Sequence, residues 1–126
     1  MSDGETDEGS IWEAAMFAGH FELNNLIAII DYNKIQSLDT TENTMRLEPY
    51  EAKWESFNWE VRRADGHNIQ DLISVLELPS NKKPICIICD TTKGKGVSFM
   101  ENSVLWHYRS PNKDEYTKAV KEILDK

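Results

Sequence analysis

Two short stretches of the chain are apolar without a break: Leu26-Ile27-Ala28-Ile29-Ile30 and Ile85-Cys86-Ile87-Ile88-Cys89. Runs of this length fit strands of a parallel sheet covered on both faces. Between them, Trp59-Glu60-Val61-Arg62-Arg63 alternates, the pattern of a strand with one wetter face. Residues 10–21 are helix-like, with Ser10 the candidate cap. Ile11, Trp12, Ala14, Ala15, Met16, Phe17 and Ala18 cover almost every side of that helix, which predicts burial on most sides. Pro49 suits the first turn of a second helix reaching about residue 57. Asn68 caps a third through about residue 78, and Pro111-Asn112 leads into a terminal helix over 113–124. Asn24-Asn25 and Asp65-Gly66-His67-Asn68 read as turns, 33–47 as a surface loop and 92–110 as a long one.

Helices alternating with strands imply an α/β domain: a parallel sheet with flanking helices. Three strands are few for a sheet buried on both faces. In a parallel sheet, the loops that follow the strands emerge on the same edge. Asn33 follows an apolar strand, and Asp3-Gly4 lies about thirty residues earlier, with one helix and one strand between. If Asp3 also follows a strand, the two meet at that edge. The strand that would deliver Asp3 is not visible, so the chain is expected to be the back half of a larger domain, with an open strand edge and an apolar patch.

A carboxylate, an amide oxygen and a nearby backbone carbonyl are hard oxygen ligands. They suit Mg2+ or Ca2+ held together with a phosphate-bearing ligand. Asp3-x-Glu5-x-Asp7 is not an EF-hand loop, because the positions that need Gly and Glu hold Glu8 and Ala14.

The words around this pair resemble the transketolase family. Ser-Asp-Gly-Glu at 2–5, Trp-Glu-Ala-Ala at 12–15, Asp-Tyr-Asn-Lys at 31–34 and Leu-Glu-Pro at 47–49 all match, as do residues 94–102 and Trp-His-Tyr-Arg-Ser-Pro at 106–111. The likeness is strongest to the amino-terminal subunit of two-subunit bacterial and archaeal transketolases, whose C-terminal half this chain matches nearly throughout. Single-subunit transketolases carry Gly after the loop histidine; Tyr108 stands here, as in the two-subunit type.

The resemblance implies a partial thiamine diphosphate-binding domain over 1–126. The cofactors are then thiamine diphosphate and Mg2+, with Ca2+ or Mn2+ able to replace it. Asp3, Asn33 and the Ile35 carbonyl become the metal ligands, with two diphosphate oxygens and a water completing an octahedron. Gly4, Glu5, Asn33, Ile35, Lys93 and His107 become cofactor contacts, with His107 over the diphosphate and the reacting carbon. Glu8 is assigned a catalytic role within an acidic network, shared with Glu13, that couples two active sites across the subunit interface.

The implied reaction moves a two-carbon ketol unit between sugar phosphates. The implied partners are the front half of the domain, a pyrimidine-binding subunit carrying the glutamate that activates the aminopyrimidine, and a second copy of the assembly. No turnover is expected from the chain alone. Two alternatives compete: a truncated homologue serving in assembly, and another thiamine diphosphate enzyme such as a 1-deoxyxylulose-5-phosphate synthase. The wording from Lys93 to Pro111 favours transketolase.

Composition narrows the rest. A net charge of −8 and a pI near 4.8 argue against a nucleic-acid surface. No apolar run reaches membrane-spanning length and no signal peptide is apparent, so a cytoplasmic protein is expected. Cys86 and Cys89 lie three apart in a strand, on opposite faces, and are expected to be reduced core residues rather than a metal or redox pair. His20 and His67 are read as structural, the latter helping to hold its turn.

Overall fold

The computed structural model describes residues 1–79 and 82–125. Three strands, β1 (Ile27–Tyr32), β2 (Glu60–Asp65) and β3 (Ile85–Asp90), form a parallel sheet in the spatial order β1-β3-β2. Ile85 pairs with Ile27 on one side and with Glu60 on the other. The central position of β3 explains why Ile85 to Cys89 are all buried, and why that run has no polar alternation.

Helices α1 (Gly9–His20) and α3 (Tyr50–Ser56) supply one face, with the four-residue α2 (Thr41–Thr44) before α3. Ala15, Trp54, Ile30 and Cys86 meet in the core there. Gly19 lets α1 approach closely: a Cβ on it would stand 1.7 Å from the Phe57 carbonyl oxygen. The other face carries α4 (Ile69–Glu77), whose Val75 packs with Ala64, Ile87 and Cys89. Cys86 and Cys89 therefore lie in different core clusters, both buried and free, as the strand period predicted. Asn68 caps α4 through Gln70 and Asp71, and Asn112 forms a capping box at α5 (Lys113–Leu124). Such caps stabilise a helix by about 1 kcal/mol.

Four local expectations are corrected. Helix α1 starts at Gly9 with Glu8 in the cap position, so Ser10 lies inside the helix and caps nothing. The same helix is not buried on most sides: Met16 and Phe17 are exposed, because α3 and the sheet reach only one flank. In β1 only alternate residues are buried; Ile27 and Ile29 are 43% and 47% exposed, because α4 packs over β2 and leaves β1 open. In β2, Arg62 is buried where a wet face was expected. Its guanidinium donates to the Val75 carbonyl (2.5 Å) and the Pro79 carbonyl (3.2 Å), and pairs with Glu60 (2.5 Å). A cation at the carboxyl end of α4 satisfies carbonyls that the helix leaves unpaired.

Ahead of Asp3, where the sequence shows no strand, the chain makes one isolated β-bridge. Ser2 bridges Asp31 in parallel along the outer edge of β1. The Asp31 amide donates to the Met1 carbonyl (2.9 Å) and the Asp3 amide to the Asp31 carbonyl (3.1 Å). Asp3 thus leaves the sheet at the same edge as Asn33.

Candidate functional site

Asp3, Gly4, Glu5, Glu8, Asn33, Ile35, Lys93 and His107 all line one cavity of about 550 Å3. It sits beyond the carboxyl ends of the strands, where parallel α/β sheets place their ligand sites. Asp3 enters from the strand edge, Asn33 follows β1, and Lys93 follows β3 by three residues.

The Asp3 corner is rigidly built. After Asp3 the chain turns through a 3-10 segment, Gly4–Asp7. Thr6 Oγ1 donates to the Asp3 carbonyl (2.6 Å) and bonds to the Tyr50 hydroxyl (2.8 Å). Trp12 Nε1 donates to the Thr6 carbonyl (2.7 Å). Beside it, Lys34 takes a left-handed conformation, φ 67°, and its amide donates to Asp3 Oδ2 (2.7 Å). The Ile35 amide donates to Asn33 Oδ1 (3.0 Å), an Asx turn that fixes the carboxamide. Asp3 is almost fully buried. Burial raises its carboxyl above the ordinary range, against the lowering effect of the Lys34 and Gly4 amides, with Asp31 and Asp7 adding to the rise.

The opposite wall is cationic. Lys93 Nζ lies 3.1 Å from His107 Nδ1, and His107 Nε2 lies 3.1 Å from Ser37 Oγ. An ammonium only donates, so Nδ1 accepts and the neutral ring carries its proton on Nε2, toward Ser37. A turn with Gly94 at φ 74° holds this wall; a Cβ there would stand 2.5 Å from the Met100 carbonyl oxygen. His107 lies in a short 3-10 segment, Val104–His107, within the long loop.

Glu5 has a partner in its own turn. Its carboxylate accepts from the Ser2 amide (2.6 Å), and Ser2 Oγ accepts from the Glu5 amide (3.2 Å). That backbone bond is the main reason its carboxyl lies below the usual range. Glu8 and Glu13 are exposed, so an acidic network around them needs a covering partner.

Two residues of the cavity lining, and one beside it, escaped the sequence reading. Lys34, beside the cavity, contributes through its backbone, Ser37 orients His107, and Gln36 is 7% exposed, its Nε2 without a hydrogen-bond partner among the described residues. A buried amide donor without a partner has a desolvation cost that a ligand acceptor would offset. Among the described residues, no three His, Cys, Asp or Glu side chains gather into a metal site. A cation here would draw on Asp3, the Asn33 amide, a backbone carbonyl and oxygens of its co-ligand. Buried carboxylate below, donors Gln36 and Lys93 around: this donor set fits a diphosphate carrying a divalent cation.

A family profile described as "Transketolase, thiamine diphosphate binding domain" matches residues 1–125. One of the subunits of the apulose-4-phosphate transketolase of Phocaeicola vulgatus is 44% identical over 128 residues, covering 100% of this chain and 46% of that protein. The 6-deoxy-6-sulfo-D-fructose transketolase subunit SqwG of Clostridium sp. is 44% identical over 125 residues, covering 98% and 46%. The chain thus spans about half the length of these relatives. Among solved structures, the transketolase of Campylobacter jejuni superposes with a TM-score of 0.89 at 29% identity, over 97% of this chain and 19% of that one. The transketolase of Pichia stipitis in complex with sedoheptulose-7-phosphate gives 0.86 at 27% identity, over 97% and 18%. No helix among the described residues is long and apolar enough to cross a membrane.

Proposed function

The chain belongs to the transketolase family, within its thiamine diphosphate-binding domain, and from that premise we propose that it holds the diphosphate end of thiamine diphosphate together with Mg2+. Residues 1–126 are read as the C-terminal part of that domain. The activity served is transfer of a two-carbon ketol unit between sugar phosphates, carried out with partner chains. The two relatives at 44% identity are named for different sugars, so a reaction class comes to this chain and no individual sugar does.

One observation carries the reading: a buried carboxylate, Asp3, shares one cavity with the Lys93 ammonium, the His107 ring, Asn33 and Ile35. Thiamine diphosphate, when bound, supplies the stabilised carbanion chemistry of ketol transfer. The chain's own residues bind and orient. Asp3, Asn33 Oδ1 and the Ile35 carbonyl would give the cation three hard oxygens, and the diphosphate would give more. Asn33 Oδ1 has a second lone pair beside its bond to the Ile35 amide. Lys93 would place a point charge against the diphosphate. His107, holding its proton on Nε2 toward Ser37, presents a movable proton at the cavity mouth. Glu8 stands exposed at the rim of the same cavity, after the Asp3 turn, where a partner subunit could bury it.

The test is calorimetric. Mg2+ titrated into the full chain should bind weakly alone and tightly with thiamine diphosphate, because three protein ligands do not fill its shell. Ketol transfer should appear only when the front half of the domain and the pyrimidine-binding subunit are both supplied. Tight Mg2+ binding without the diphosphate, unchanged in Asp3→Ala, would overturn the reading.

A further inference from the structure

We propose that His67 is a positioning residue for the cofactor wall, acting through the backbone of Thr92 to set where Lys93 emerges. The proposal rests on the cofactor reading above. His67 lies outside the cavity, on the turn after β2, yet its Nε2 accepts the Thr92 amide at 2.7 Å. Thr92 immediately precedes Lys93, whose ammonium meets His107.

The bond belongs to a clamp on the exit of β3. From the β1 side, the Thr91 amide donates to the Tyr32 carbonyl (3.2 Å), and Thr91 Oγ1 bonds to Asp31. From the β2 side, the Gly66 amide donates to the Asp90 carbonyl (2.8 Å). Gly66 is pressed so closely that a Cβ would stand 2.4 Å from Thr91 Cγ2. His67 adds the outermost bond on that side. Its own amide donates to Asp65 Oδ1 (2.9 Å), and the Asp65 amide donates to Asp71 Oδ2 (2.7 Å), so the ring stands on a braced turn. Beyond Thr92 the chain leaves the sheet, and Lys93 is the first residue the clamp does not hold directly. To accept an N–H, Nε2 must present a lone pair, so the ring acts in its neutral form with the proton on Nδ1. Glutamine, which also offers an acceptor on a side chain of similar reach, should replace it; alanine should not.

The experiment compares parent, His67→Ala and His67→Gln as full chains. Hydrogen exchange at the Thr92 amide is read together with calorimetric titration of thiamine diphosphate with Mg2+. We expect His67→Ala to speed Thr92 exchange and weaken cofactor binding roughly three- to tenfold, the effect of one hydrogen bond, with melting temperature little changed at this exposed site. His67→Gln should restore both. If His67→Ala binds cofactor like the parent, or if His67→Gln is as weak as His67→Ala, the inference falls and the cofactor reading stands. A parent that binds no thiamine diphosphate overturns the cofactor reading itself and this inference with it.

Discussion

The two walls of the cavity are made differently. The Asp3 wall is built of backbone geometry: a parallel bridge to β1, a 3-10 turn pinned by Thr6, Tyr50 and Trp12, and the Lys34 amide on a buried carboxylate. The Lys93 wall is built of side-chain ends, with Lys93 and Ser37 each 3.1 Å from His107 in exposed surroundings. Buried hydrogen bonds are costly to break, and contacts between exposed groups are not. The first wall is therefore preformed. The second is set by the root of its loop and can adjust to a ligand. A cation needs fixed ligands near octahedral geometry, whereas an anion can be met by a mobile charge. The division matches what each wall is proposed to hold.

The largest effect should come from removing the fixed carboxylate. Asp3→Ala should weaken joint binding of Mg2+ and thiamine diphosphate by roughly a hundredfold, and calorimetry on the full chain checks it. Asn33→Leu should act in the same direction. Asn33→Asp should cost less, since it keeps an oxygen ligand while adding charge beside an anionic diphosphate. If both Asn33 variants bind like the parent, Asn33 is not on the metal side and the comparison of walls loses one member.

On the adjustable wall, Lys93→Ala should lower cofactor affinity by about tenfold, the scale of one charge-assisted bond, and Lys93→Arg should recover part of it. The same adjustability predicts that residues 92–110 are cut by protease in the free chain and protected by thiamine diphosphate with Mg2+. Equal protection in both states would show that this wall is as preformed as the other.

How far these walls can be read in the sequence differs in the same way. The parallel sheet was legible because Ile85 to Cys89 has no polar residue, and the words around Asp3, Asn33, Lys93 and His107 single out eight residues that line one cavity. What stayed hidden depends on backbone conformation or on who covers a surface. Nothing in the letters Asn-Lys-Ile announces that Lys34 turns left-handed to aim its amide at Asp3. The orphaned Gln36 amide looked like one more polar loop residue. Arg62 read as wet because an alternating pattern cannot show that a helix end with unpaired carbonyls lies above it. Ile27 and Met16 read as buried because an apolar run does not show which of its sides the neighbouring helices leave open.

The smallest expected effect tests the cost of the preformed wall. Burial raises the Asp3 carboxyl above its ordinary value of 3.8, so the folded state holds this proton more tightly than the unfolded chain does. As pH rises from that ordinary value through the raised one, the unfolded chain releases its proton first, and this group's contribution to stability falls. Above the raised value, the folded chain carries a buried charge at full cost. Asp3→Asn keeps an acceptor for the Lys34 amide and removes the charge. Without cofactor at pH 7, the variant should therefore melt above the parent. The gap should close as pH falls to the ordinary range of Asp, where both carry a neutral side chain. Carboxylates such as Asp90, held low by Arg63 and Lys34, destabilise both proteins alike in acid and cancel in the difference. Adding Mg2+ with thiamine diphosphate should reverse the order at pH 7, because the cation stabilises only the parent's charge. Thermal melts of the two proteins across pH, with and without both ligands, decide it. A parent more stable than Asp3→Asn in the ligand-free state at pH 7 would mean that the buried carboxylate is already compensated within the chain, and that a cation is not what this wall was built to receive.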